Sequence, residues 1–159
     1  MRLTKAYLKA VGVVGRPERE LKPIFPQGWK ETDQPCAMLV LVGGRELKSD
    51  NWPAIALMLA HGTYALGRTI PEAAFPGMPD FPRIFEGHQC LLQVGKDVRL
   101  MKDFSTNGTL VIPPTEARKV PALRINDAFR KQWDSPSPKT IHPHDVVVTM
   151  YAELVFVVV

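Results

Sequence analysis

The stretch HQCLLQVGKDVRLMKDFSTNGTLVI, residues 88–112, decides how this chain is read. Its first half sets two runs rich in apolar residues on either side of Gly95, Lys96 and Asp97. That is the pattern of a β-hairpin with a face against a core. Its second half places five small polar residues, Ser105 to Thr109, between strand-like segments where two would close a hairpin. A connection longer than the turn demands is where binding residues gather on a rigid scaffold.

Working outward, the same short-period signal recurs. CAMLVLV (36–42) ends at Gly43 and Gly44, and AIALMLA (54–60) is closed by His61 and Gly62. The second of these runs also reads as a short buried helix, because Ala, Leu and Met favour helices. TYALGRT (63–69) reads as a strand that terminates at Gly67, and the four prolines of IPEAAFPGMPDFPRIF (70–85) forbid regular pairing over most of that loop. DVVVTM (145–150) and ELVFVVV (153–159) form a second hairpin around Tyr151 and Ala152, apolar enough to be covered on both faces. With 15 prolines and 11 glycines the chain consists of many short elements. The expectation is an all-β, antiparallel β-sandwich of about eight to eleven strands.

The chain divides into a basic amino-terminal extension, residues 1–35, and the sandwich, residues 36–159, with a long Pro-rich insertion at about 113–144. A segment of that length inside a compact domain is a functional loop or an unstructured one. Within it Asn126 is placed to cap a short helix that sets Phe129 and Trp133 on one side. Ser135-Pro136 and Ser137-Pro138 read as turns or as sites of proline-directed phosphorylation.

Charge narrows the function classes. Residues 1–30 hold seven basic groups against Glu18 and Glu20, a balance of +5, and the rest of the chain sums to −1. The sandwich itself is therefore near neutral, and its composition points away from nucleic acid as a partner. Cys36 and Cys90 lie in apolar runs with no CxxC or Cys/His neighbour, as buried free thiols of a reducing compartment do. No apolar run reaches the length of a membrane span. The opening MRLTKAYLKAVGVVG is basic like a transit peptide, yet its apolar part is short and no cleavage signal follows. The expected location is nucleus or cytoplasm.

Some chemistry follows from residue types alone. A phosphate dianion at a surface loop needs a fixed bidentate cation, which the planar fork of arginine supplies better than lysine. Arg68 follows Gly67 at a strand end, so its guanidinium can project from the sheet rim. Ser105, Thr106 and Asn107 supply hydroxyl and amide donors on a second loop, and Gly108 allows the positive φ with which that loop doubles back. Each feature also has a plain reading: an arginine at a strand end is commonly solvated, STNG commonly a tight turn, and His88 a satisfied core histidine. His142 and His144 have no third ligand in view for a metal. Ser, His and Asp occur without a nucleophile elbow, so neither catalytic residues nor a small-molecule substrate is expected. No cofactor is expected either.

These residues together resemble the forkhead-associated (FHA) domain, a β-sandwich that binds phosphothreonine peptides through loops at one end. The resemblance runs through LGR (Leu66, Gly67, Arg68), GHQCLL with His88, LMKDFSTNGTLV with Asp103 and Ser105 to Thr109, and HPHDVV before the last strand, across roughly residues 54–159. It implies that Arg68 and Thr106 hold the phosphate, assisted by Ser105, and that Asn107 bonds the peptide backbone beside it. Gly67, His88 and Gly108 would support the loops.

Three positions depart from the family pattern. Phe85 stands where the family has a phosphate-binding serine, Glu86 where it often has another donor, and Ile112 where it has a second asparagine, for which Asn126 is a displaced substitute. Losing a hydroxyl donor to a charged acceptor weakens binding by about 1.5–3 kcal/mol. Arg83 or Lys102 would compensate by facing the same cleft.

The expected function is therefore recognition of a phosphothreonine-containing protein partner, with no chemical turnover. Three alternatives stand beside it, the weakest being a nucleic-acid role through the basic arm of residues 1–30. A degenerate FHA domain, favoured by the Phe85 and Glu86 replacements, would serve as a phosphate-independent scaffold through its apolar surface, while in the leading reading the sandwich edges and the region of Phe85 and Trp133 offer a second surface. The chain would otherwise be the regulatory part of a larger enzyme such as a kinase, since it ends abruptly in VFVVV.

Overall fold

A computed structural model describes residues 2–3, 19–44, 55–69, 75–76, 84–117 and 138–158. The expected helix at Asn126 to Trp133, the auxiliary residue Arg83 and the serines of the two Ser-Pro pairs lie outside the described residues.

The described chain is almost wholly β. A two-stranded ribbon pairs β1 (Arg2–Leu3) with β2 (Arg19–Glu20). The other strands are β3 (Lys22–Ile24), β4 (Ala37–Gly44), β5 (Ile55–Leu59), β6 (Gly62–Leu66), β7 (Cys90–Val94), β8 (Val98–Asp103), β9 (Leu110–Ile112), β10 (Lys139–Ile141), β11 (Val146–Val148) and β12 (Ala152–Val158). They form a six-stranded sheet in the order β3-β5-β4-β12-β11-β9 and a four-stranded sheet in the order β10-β8-β7-β6. All pairings are antiparallel except that of β3 with β5. A single helical turn, α1 (Pro114–Ala117), follows β9.

Burial explains why these runs pair as they do. β7 buries Cys90, Leu92 and Val94 and β8 buries Val98 and Leu100, so the hairpin puts alternate side chains into the core. β5 and β11, which have a neighbour on each side, are buried at every position, and so is the edge strand β9, as runs covered on both faces must be. The two sheets close over one apolar cluster built from Leu39, Leu41, Leu57, Leu66, Leu100, Leu154 and their neighbours, which makes the domain an antiparallel β-sandwich. Lys139 Nζ, on the edge strand β10, donates to the carbonyl of Val111 at 3.2 Å on the edge strand β9, so the sheets are also linked along one side.

Both hairpins fold as the sequence predicts. Val94 pairs with Val98 around residues 95–97, and Val148 pairs with Glu153 around residues 149–152. AIALMLA resolves to a strand: five residues are too few for a helix to bury on all sides, and the backbone of β4 satisfies its ladder.

The proline-rich insertion is not structureless throughout. Lys139, Thr140 and Ile141 pair with Leu100, Arg99 and Val98, adding an edge strand to the hairpin. That strand is three residues long with one buried side chain, too short for periodicity to reveal.

Candidate functional site

Three connections meet at one end of the sandwich: residues 67–69 after β6, residues 84–89 before β7, and residues 104–109 after β8. Their meeting follows from the β6–β7–β8 register. Leu66 pairs with Cys90, and Cys90 pairs with Asp103, so the segments beyond these pairs leave the sheet side by side.

The first two connections continue a ladder past the formal strand ends. Gln89 N–H donates to the Leu66 carbonyl at 2.8 Å, Arg68 N–H to that of Glu86 at 3.0 Å, and Thr69 N–H to that of Gly87 at 3.1 Å. This approach requires a glycine at 67, because a Cβ there would lie 2.3 Å from the Gly87 oxygen. Gly67 thus supports the site by letting two loop backbones touch.

The polar run of the third connection is a braced turn. One oxygen of Asp103 accepts from Ser105 N–H at 2.9 Å, from Ser105 Oγ at 2.5 Å and from Thr109 Oγ1 at 3.1 Å; the other accepts from Thr109 N–H at 2.9 Å. This is an Asx-type turn in which a carboxylate replaces the missing ladder partners. Gly108 has φ 94°, so the predicted doubling back occurs where a side chain would be strained. Ser105 is turned toward Asp103, whereas Thr106 at the tip is exposed.

Gln89 ties these loops together. It is fully buried; its Oε1 accepts from Glu86 N–H at 3.0 Å, while its Nε2 donates to Thr109 Oγ1 at 2.7 Å and to the Gly108 carbonyl at 3.3 Å. The brace expected of His88 therefore falls to its neighbour. His88 is exposed and not a core histidine, because it precedes β7 and lies outside the alternation that carries side chains inward.

Glu86 makes the most informative contact. Its half-buried carboxylate accepts from Asn107 N–H at 3.2 Å and from Asn107 Nδ2 at 3.1 Å. An internal anion thus holds the donors that sequence reasoning assigned to a peptide. Arg68, one backbone hydrogen bond away, projects from the rim and is exposed; its guanidinium lies over the Tyr151 ring, 5.7 Å from the centroid. Among the described residues neither Arg68 nor Glu86 forms an ion pair. Lys102 Nζ lies 5.3 Å from the ring centroid of Phe104, which is itself exposed beside the loop.

Phe85 is 2% exposed and belongs to the core, so it offers no second docking surface. The Ile84 carbonyl beside it accepts from Thr149 Oγ1 at 2.7 Å, which fastens this loop to the turn between β11 and β12. Ile112 is buried in β9, where an asparagine would have no place. His142 and His144 are exposed on a turn whose Asp145 carboxylate accepts from His142 N–H at 2.8 Å.

Sequence reasoning placed Arg68 and the STNG loop at the same end but missed Gln89, Tyr151 and Thr149. Gln89 is one polar residue in a strand-like run, and Tyr151 enters through the opposite sheet. Only Asp103, two residues before Ser105 and six before Thr109, carried a local signal, the spacing of an Asx turn. No family model, curated protein or solved structure matches this chain.

Proposed function

We infer that the loop end of this sandwich recognises a phosphothreonine-containing protein segment in the manner of an FHA domain, by binding and without turnover. The observation that carries this reading is Arg68. It is an exposed guanidinium outside any ion pair among the described residues, oriented by Tyr151 and anchored through its own N–H to the loop beside STNG. Such a group is a pre-oriented fork for a phosphate. Thr106, exposed at the tip of the turn that Asp103 braces, supplies the hydroxyl side of the cradle. Calorimetric titration with matched phosphothreonine and unphosphorylated peptides tests the reading against wild type and Arg68→Ala. Preference for the phosphorylated peptide, lost in the variant, is expected; equal binding of both peptides by both proteins would sink it.

A second reading, a phosphate-independent scaffold, is favoured by one observation: Asn107 gives its backbone N–H and one Nδ2 hydrogen to Glu86. The same titration separates the two. No helix among the described residues is long and apolar enough to cross a membrane.

A further inference from the structure

Two opposite charges sit on touching loops and do not meet. Arg68 and Glu86 are joined through the backbone at 3.0 Å, yet their side chains form no ion pair. Each is held elsewhere, Arg68 by the Tyr151 ring and Glu86 by the two N–H donors of Asn107. The two loops therefore carry a cation and an anion that do not neutralise each other.

Asp103, a second carboxylate among the described residues of this end, does not compete for a ligand. It already accepts four hydrogen bonds from Ser105 and Thr109. Glu86 accepts two, both from one residue, so its oxygens keep lone pairs for further donors, and it is half-buried without an ion-pair partner among the described residues. A partly desolvated carboxylate attracts a cation more strongly than an exposed one does.

We propose that Glu86 is a specificity residue: the segment this site accepts carries a lysine or arginine close to the phosphothreonine, its phosphate on Arg68 and its cation on Glu86. The proposal rests on the phosphothreonine reading and assigns the flanking chemistry of the ligand. Glu86 then acts as the docking point for a zwitterionic segment and, by opposing negatively charged neighbours, excludes acidic phosphopeptides.

The experiment is a calorimetric series of phosphothreonine peptides with Arg, Ala or Glu at single positions on both sides of the phosphothreonine. Wild type, Glu86→Gln and Glu86→Asp are titrated with each. At one or two positions wild type should bind the Arg peptide about three- to tenfold more tightly than the Ala peptide and the Glu peptide more weakly. Glu86→Gln, whose single amide oxygen keeps one of the two contacts with Asn107, should flatten the series, and Glu86→Asp, which keeps the charge, should retain the order. Phosphate-dependent binding that is indifferent to flanking charge, or a preference for Arg that persists in Glu86→Gln, overturns the assignment of Glu86 alone. Binding that ignores the phosphate in every peptide overturns the phosphothreonine reading as well.

Discussion

The guanidinium of Arg68 lies 5.7 Å from the centre of the Tyr151 ring, so a cation at the end of one sheet is oriented by an aromatic ring in a turn of the other. A cation over a ring at an exposed site gains about 0.5–1 kcal/mol. Its larger effect is to limit the rotamers the long side chain must give up on binding. Tyr151→Leu should weaken phosphothreonine binding about two- to fivefold while leaving the urea midpoint nearly unchanged. Titration and equilibrium denaturation of the same variant check both halves of the statement.

Gln89 is the keystone of the three loops, and its loss should be felt in stability first. Gln89→Leu would leave Glu86 N–H, Thr109 Oγ1 and the Gly108 carbonyl without their buried partner. Unsatisfied buried groups cost about 1–3 kcal/mol each, so with three of them a loss of at least about 3 kcal/mol by urea denaturation is expected. A loss below about 1 kcal/mol would show that the loops are held by other means.

Glycine 67 and glycine 95 make a paired test. A Cβ at 67 meets the Gly87 oxygen at 2.3 Å, while at 95 it meets nothing within 4 Å. Gly67→Ala should therefore destabilise by about 1–3 kcal/mol and separate the two loops. Gly95→Ala should stay within about 0.5 kcal/mol of wild type.

Restoring a hydroxyl at position 85 should not restore a phosphate donor. Phe85 is 2% exposed and packs in the core, so Phe85→Ser removes a buried ring and should cost about 3–5 kcal/mol. Thermal unfolding would show a sharply lowered transition. A folded variant with tighter phosphopeptide binding would refute this account of the position.

The two thiols should differ in reactivity and in their effect on pH stability. Burial, with the nearby Asp103 charge, pushes the Cys90 thiol up to about 12 from 9.0. The partly exposed Cys36 is also raised by burial, less an opposing backbone hydrogen bond. In the native protein at pH 8, Cys36 should alkylate slowly and Cys90 not at all, with both reacting in denaturant; mass spectrometry reads the difference. The folded state binds the Cys90 proton more tightly than the unfolded state. Its contribution to stability is therefore fully present below pH 9 and is lost as pH rises toward about 12. Denaturation midpoints measured from pH 8 to pH 11 should fall for wild type more steeply than for Cys90→Ala.

Much of this architecture follows from local pattern. The hairpins at 90–103 and 146–158, the strand stopped at Gly67 and the turn at Gly108 each depend on residues near in the chain, through period-two burial and allowed φ. The Asx turn of Asp103 is equally local, and so was the polar character of the STNG loop. What only the tertiary structure decided is which polar groups spend their hydrogen bonds on one another. Glu86 and Asn107 are 21 residues apart, Gln89 and Thr109 are 20 apart, and Thr149 is 65 from Ile84. These contacts exist because strand register carries loops of distant sequence to one rim, where a buried donor must find an acceptor whatever its place in the chain. Residue types and turn chemistry selected the strands and the polar loop; sheet pairing left Arg68 open on the rim and gave Asn107 to Glu86.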